Sequence, residues 1–320
     1  MLRTLLTACL MLTFALPAAQ AETGLFRYTS PAAGFDTHTW YYVTPDQVVV
    51  FDAQFTPALA QSVIKDIQAR TKVPISHVVV THPNPDKFNG VGPFQALGAK
   101  VVASDATAKA IPGVHAYKKY YFVQMAKMFT EATYPAEARV DITFTGAHTL
   151  TLKNGERIEL KTLKHPGVSS TQTVAWIPAK KALVVGDLVH HKAHAWLEGG
   201  IVDGAPRPDL SKWSKALDEL KAWPDATVYG GRGQTAPVAQ AVSAQQRYLD
   251  AMGALVKGYV AQHGLTQAAL KGEQAAAHHK ALAEQAAKTF PEYALPYMVQ
   301  YGVYGLLGAE VSAAQRGAVR

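Results

Sequence analysis

The sequence predicts a mixed α/β domain followed by a helical extension, and three observations carry that prediction. Between residues 39 and 229, short β-branched and apolar runs alternate with stretches whose apolar residues recur at helical spacing. An Asn154-Gly155 pair divides two runs of alternating apolar and polar residues, which is a hairpin signal. From Val238 onward Ala, Gln and other helix formers take over and strand signals stop. A chain of 320 residues with 48% hydrophobic and 17% charged residues can bury a core and is neither disordered nor fibrous. Its 31 Lys and Arg against 24 Asp and Glu give a net charge of +7, but the basic residues are dispersed, so nucleic acid is not an expected partner.

The chain opens with Arg3, an apolar run from Leu5 to Leu16, Pro17, and the small-residue ending Ala19-Gln20-Ala21. That order reads as a secretory signal over residues 1–21, cleaved after Ala21, and makes the periplasm the expected location. Cys9, the only cysteine, lies inside the removed segment. The mature protein is therefore expected to have no disulfide and no thiolate ligand, so any metal would rest on His, Asp, Glu or Asn. No later stretch approaches the ~20 apolar residues of a membrane span. The mature chain divides into a domain over 22–237 and a helical extension over 238–320.

Thr39 to Val43 and Val48 to Asp52 read as neighbouring strands across Thr44-Pro45-Asp46-Gln47. Thr56 caps a helix with Pro57 at its first position and Leu59, Val63, Ile64 and Ile67 on one face. Ile75 to Thr81 is a buried-type strand that runs into the polar loop His82-Pro83-Asn84-Pro85-Asp86-Lys87-Phe88-Asn89-Gly90. A helix near Val91 to Leu97 and a strand from Lys100 to Ala103 follow, then a helical insertion over Ala116 to Thr133. Strands at Thr173 to Ile177 and Ala182 to Val185 end in Gly186-Asp187. Asp209 caps a helix with Leu210, Trp213, Leu217 and Leu220 on one face, and Ala226 to Tyr229 returns as a strand ending in Gly230-Gly231-Arg232-Gly233. The extension breaks at Gly264, Pro291 and Pro296, and its tyrosines 293, 297, 301 and 304 are expected to pack against the domain as structural residues.

Thr81-His82-x-Asn84-x-Asp86-Lys87-x-Asn89-Gly90 after a buried strand, then Val185-Gly186-Asp187, then Gly230-Gly231-Arg232-Gly233, resembles the metallo-β-lactamase superfamily in order and spacing over residues from about 25 to 237. The resemblance implies an αββα sandwich with a di-metal hydrolytic centre at one edge. It also implies a family loop of the form His-x-His-x-Asp-His, a later His, an Asp after Gly, and a closing Gly-His-Gly turn. Carried over residue by residue, His82, Asp86 and Asp187 keep ligand types, whereas Asn84 and Lys87 stand where the family has His. Arg232 stands at the His of the closing turn and Val168 at the remaining His position, with His165 close enough in sequence to compensate through a shifted loop.

Lysine and arginine carry only donors and a positive charge, so Lys87 and Arg232 repel the cation whose ligands they replace. Asp86 and Asp187 would instead pair with them, an ion-pair cluster in place of the second metal. Beside these carboxylates the Lys87 ammonium is stabilised, which suits it to binding an anion or polarising a carbonyl rather than acting as a base. His82, Asp86, Lys87 and Asp187 are thus the candidate catalytic residues. Asn84, His165, His190, His194 and Arg232 are the candidate ligand-binding residues, since His190, His191 and His194 follow Asp187 at the strand end. No cofactor is expected beyond at most one weakly held zinc on His82, Asp86 and Asp187. Ser62-Val63-Ile64-Lys65 fits a serine β-lactamase pattern but lies within the first amphipathic helix without partner motifs. Two functions follow. One is an exported hydrolase-like protein without ordinary di-zinc chemistry that binds a small molecule in the ancestral cleft. The other is an active hydrolase of a small ester, lactone or related carbonyl substrate with a reduced or rearranged site.

Overall fold

The computed structural model describes residues 22–318; the expected signal segment and Cys9 lie outside the described residues. The first half of the domain forms one six-stranded sheet in chain order: β1 (Gly24–Thr29), β2 (His38–Val43), β3 (Val48–Phe51), β4 (Ile75–Val79), β5 (Lys100–Ser104) and β6 (Ile142–Phe144). The first three strands pair antiparallel and the rest parallel. Helices α1 (Pro57–Arg70), α2 (Pro85–Phe88), α3 (Val91–Ala96) and α4 (Asp105–Tyr120) supply the connections. In α1 the Thr56 side chain accepts from the Leu59 N–H with Pro57 at the first position, and Ala60, Val63, Ile64 and Ile67 are buried.

The second half forms the other six-stranded sheet from β7 (Ala147–Thr151), β8 (Arg157–Thr162), β9 (Thr173–Ile177), β10 (Ala182–Gly186), β13 (Thr227–Gly230) and β14 (Ala236–Pro237). A small hairpin, β11 (Gly200–Val202) with β12 (Ala205–Arg207), and helix α5 (Leu210–Glu219) lie between β10 and β13. Helices α6 (Val238–His263), α7 (Gly272–Thr289), α8 (Tyr297–Gly302) and α9 (Tyr304–Ala318) form the C-terminal extension.

The side-chain alternation of β2 and β3 makes the layers. Trp40, Tyr42, Val49 and Phe51 point to the core between the sheets, where they meet Leu150, Ile158, Leu160, Ala175 and Val184 of the second sheet. Tyr41, Val43, Val48 and Val50 point the other way, into a core shared with α1, α3 and α4. The outer face of the second sheet packs on α5 and the extension through Val185, Leu188, Trp213, Leu217, Tyr248 and Met252. The result is helix, sheet, sheet, helix, as the resemblance implies.

Several elements differ from the sequence reading, among them the short strands β6, β11, β12 and β14, which it did not foresee, and two more consequential ones. The expected helix over 116–133 begins at Asp105, capped by Ser104, runs straight through Pro112, and ends at Tyr120 in a π-turn over Tyr121–Met125. Pro112 lies inside this helix, and Ile111 and Val114 beside it are buried in the core of the first sheet. Strand β1 has no alternating apolar signal because it is a half-buried edge.

Candidate functional site

The site lies where strand ends of both sheets converge, and hydrogen bonds from Thr173 N to Thr81 O (2.7 Å) and from His38 N to Gly231 O (2.8 Å) join the two there. After β4 the chain turns through Asn84, with Pro85 opening the single turn of α2 that carries Asp86 and Lys87. After β10, Gly186 adopts a left-handed φ of 53°, and a Cβ there would lie 2.3 Å from Thr81 Oγ1. At Gly231 a Cβ would lie 1.9 Å from Asp187 Oδ1, so glycine at both positions lets Asp187 close on its partners.

Four charges meet at this point. Lys87 Nζ lies 2.8 Å from Asp86 Oδ2 and 2.8 Å from Asp187 Oδ1. The Arg232 guanidinium spans the same carboxylates, with Nη1 2.6 Å from Asp187 Oδ2 and Nη2 3.0 Å from Asp86 Oδ2. Arg232 Nε donates to Phe35 O (2.7 Å) and Nη2 to Thr37 Oγ1 (2.8 Å). Lys87 is fully buried and none of the four is more than 6% exposed. Burial raises both carboxyls, but Arg232 and Lys87 hold Asp187 well below the usual carboxylate range, and Lys87 and Arg232 hold Asp86 below it. Burial would lower Lys87, yet Asp187 and Asp86 keep it raised. Two cations and two anions so balanced can remain charged in a dry site.

His82 is fully buried with Nε2 3.7 Å from Asp187 Oδ2 and without a hydrogen-bond partner, while Nδ1 lies 2.9 Å from Thr81 Oγ1. Burial brings its pKa down to about 4, against the opposing pull of Asp187. Asp52, at the end of β3, accepts from Thr81 N and Oγ1 (2.9 Å each), and its burial lifts its carboxyl to about 7, partly countered by Lys87. Among the described residues no group of three or more His, Cys, Asp or Glu side chains is arranged to hold a metal ion. The residues present do not fit a di-metal centre: both Asp187 oxygens and Asp86 Oδ2 are taken by the cations of Lys87 and Arg232, and His82 Nε2 has one carboxylate, not a set of donors, beside it.

The other expected ligand-binding residues do not join this cluster. His165 is engaged by Glu219, its Nδ1 3.0 Å from Oε1 and its backbone N–H on the same oxygen, so the shifted-loop compensation is not the arrangement seen. Val168 is buried in the apolar core on the outer face of the second sheet. His190 is fully buried with both ring nitrogens unpartnered, packs edge-on to Trp213, and is kept neutral by burial, its pKa lowered to about 3. His194 turns toward the extension: Nδ1 lies 3.2 Å from Tyr248 Oη and the ring packs against Phe290 and Tyr293. Asn84 is half-buried, and its side chain does not cap α2.

Beside the charges lies a small cavity of about 40 Å³, lined among others by Asn84, Asp86, Lys118, Asp187, Trp196 and Arg232. It adjoins an outer groove of about 620 Å³, with Phe35, Phe122 and Trp196 on the walls of both. Lys118, from α4, is buried in an ion pair with Glu198, which also accepts from Trp196 Nε1 (2.9 Å). The sequence carries no cue to this pair, because its members stand 80 residues apart and share no motif. The extension contributes Met298 to the cavity and Tyr297 and Tyr301 to the groove. Tyr297 Oη also donates to Asp36 Oδ2 (2.6 Å). The tyrosines of the extension are thus not all packing residues; Tyr293 and Tyr304 pack on the core, whereas Tyr297 and Tyr301 also line the groove.

Comparison with known proteins agrees with this fold. A metallo-β-lactamase from Pontibacter korlensis is similar in structure with a TM-score of 0.52 and 22% identity, over 67% of this chain and 87% of that one. The DIM-1 metallo-β-lactamase gives 0.51 and 18% over 71% and 93%, and TMB-1 gives 0.50 and 16% over 71% and 92%. At these identities the likeness concerns the fold alone. No match to a curated protein was found. The sequence profile described as the metallo-beta-lactamase superfamily matches residues 33–232, more than half of the chain. This chain belongs to the metallo-β-lactamase superfamily, as a member whose metal-binding motif is degenerate.

Proposed function

We propose that this protein is an exported member of the superfamily that binds a small molecule in the cleft beside Asp187 and does so without di-zinc chemistry. The observation that carries the reading is the closed ring of Asp86, Lys87, Asp187 and Arg232, in which side-chain cations occupy the carboxylates that a second metal ion would use. The adjoining cavity and aromatic groove support ligand binding, because a concave, mostly apolar site with a few fixed polar groups is how small molecules are held. The segment over residues 1–21 supports export. Among the described residues no helix is long and apolar enough to cross a membrane.

Metal analysis tests the reading. Protein purified without chelator is expected to hold less than about one tightly bound zinc per chain, and stoichiometric binding of a metal pair would overturn it. Replacing Asn84→His, Lys87→His and Arg232→His together is expected to raise zinc affinity, since it restores neutral donors and removes two cations, whereas Val168 lies in the apolar core and is left unchanged. The competing view, an ester or lactone hydrolase on a reduced metal site, gains support if hydrolysis is found and is abolished both by chelator and by Asp187→Ala.

A further inference from the structure

We infer that the ligand is an uncharged aromatic molecule with one neutral polar group, a hydroxyl or a primary amide. Its aromatic body lies in the outer groove and its polar group reaches the inner cavity between Asp86 and Lys118. This rests on the reading of the cleft as a ligand site and adds the chemical class.

The groove sets the body. Phe35, Tyr121, Phe122, Trp196, Tyr297 and Tyr301 line it, and no Asp, Glu, Lys or Arg stands on its walls. Six rings around a space of about 620 Å³, within the range of small-molecule pockets, favour an aromatic guest, which gains ring-to-ring contacts beyond the area it buries. Tyr301 is 49% exposed, which leaves aromatic surface for such a guest to cover. Phe35, Phe122 and Trp196 also wall the inner cavity, so a molecule seated in the groove can extend one end toward the charges.

Charge balance sets the polar group. The charged residues lining the inner cavity are Asp86, Asp187, Lys118 and Arg232, two of each sign. Each is paired, the carboxylates with Lys87 and Arg232, and Lys118 with Glu198. Lys87 and Glu198 add one more of each sign, so the set carries no net charge to attract an ion. Asp52 lines neither space, and burial lifts its carboxyl to about 7, toward the neutral form. An incoming carboxylate meets Asp86, and an incoming ammonium meets Lys118 and Arg232, so either ion sheds its water without gaining an unpaired counter-charge. Hydrogen-bonding capacity remains all the same. Asp86 accepts from Lys87, Arg232 and Thr37 through Oδ2, which leaves Oδ1 as an acceptor. Lys118 Nζ has three N–H groups and one partner oxygen, on Glu198. A hydroxyl or primary amide donates to the first and accepts from the second without bringing a charge.

The test titrates three probes that share one body, 2-naphthalenemethanol, 2-naphthoate and 2-naphthylmethylammonium, into the whole protein by calorimetry at pH 6.5. The alcohol is expected to bind at least about tenfold tighter than either ion. Two variants upset the balance in opposite directions. Glu198→Gln leaves the Lys118 charge without its partner and is expected to improve naphthoate relative to the alcohol by about tenfold. Asn84→Asp, on a half-buried loop residue, adds a carboxylate to the cavity wall and is expected to do the same for the ammonium probe; it decides alone if the first variant fails to fold. Tyr301→Ala is expected to weaken all three probes by similar factors. An ion that equals or exceeds the alcohol in the unaltered protein overturns the assignment of a neutral ligand while the cleft still binds one, and so does a ranking that neither charge variant moves. No binding by any probe also overturns the inference, and zinc content decides the underlying reading separately.

Discussion

Two stretches at the same strand end bury polar side chains in opposite ways. Asp187 enters a ring of four charges in which each carboxylate touches two cations. A few residues later His190 and His194 are buried just as deeply, yet His190 has no hydrogen-bond partner on its ring and His194 shares only a tyrosine hydroxyl. Protonation state explains the contrast. A carboxylate, ammonium or guanidinium cannot shed its charge cheaply near neutral pH and must be paired, whereas an imidazole can lose its proton and pack as a flat, mostly apolar body. The four-charge ring also differs from the second buried ion pair, Lys118 with Glu198. That pair has spare donor capacity on the cavity side, while the ring has almost none.

The largest expected effect breaks the paired region. Lys87→Met leaves Asp86 and Asp187 sharing a single cation and is expected to cost about 3–5 kcal/mol in urea unfolding at pH 7.5. A cost under about 1 kcal/mol would mean that the ring is not held together as its distances indicate.

Acid probes the buried imidazoles. Burial lowers His82, His38 and His194 to about 4 and His190 to about 3. Each therefore stabilises the folded state fully above the ordinary imidazole value near 6.5, and that contribution shrinks as pH falls toward the lowered value. Asp52, lifted to about 7, acts with the opposite sign: its protonated form is favoured by folding, and its contribution is lost as pH rises from about 4 through 7. Four imidazoles outweigh one carboxyl, so stability is expected to fall by about 2–4 kcal/mol between pH 7 and pH 5. An unchanged urea midpoint across that interval would show the imidazoles to be protonated or solvated in the fold.

Smaller effects sharpen the same comparison. Tyr248→Phe removes the hydroxyl that contacts His194 Nδ1 and accepts from Ala195 N (3.1 Å), an expected loss of about 1 kcal/mol by thermal unfolding. His190→Leu removes no side-chain hydrogen bond and replaces one buried apolar body by another, so its stability at pH 7.5 is expected to stay within about 1.5 kcal/mol. A larger loss would reveal a polar partner for that ring.

Much of the frame was legible in the sequence because local rules govern it. Thr56-Pro57 caps α1, Asn154-Gly155 turns between β7 and β8, and the glycines before Asp187 and Arg232 occur where backbones and side chains crowd. Helix α4 was placed over 116–133 where it spans Asp105–Tyr120, and the edge strand β1 was missed, since in both cases partners distant in sequence outweigh local preference.

For the site, residue identity alone determined that Lys87 and Arg232 could not serve as metal ligands, because their chemistry does not depend on the fold. Which imidazoles turn toward Asp187 and which toward the C-terminal helices, that Glu219 captures His165, and that α4 brings Lys118 to Glu198 were decided only by tertiary structure. Side-chain direction at the end of a strand depends on what packs above it. Here that cover comes from α4, α5 and the extension, and strand-end motifs do not encode their positions.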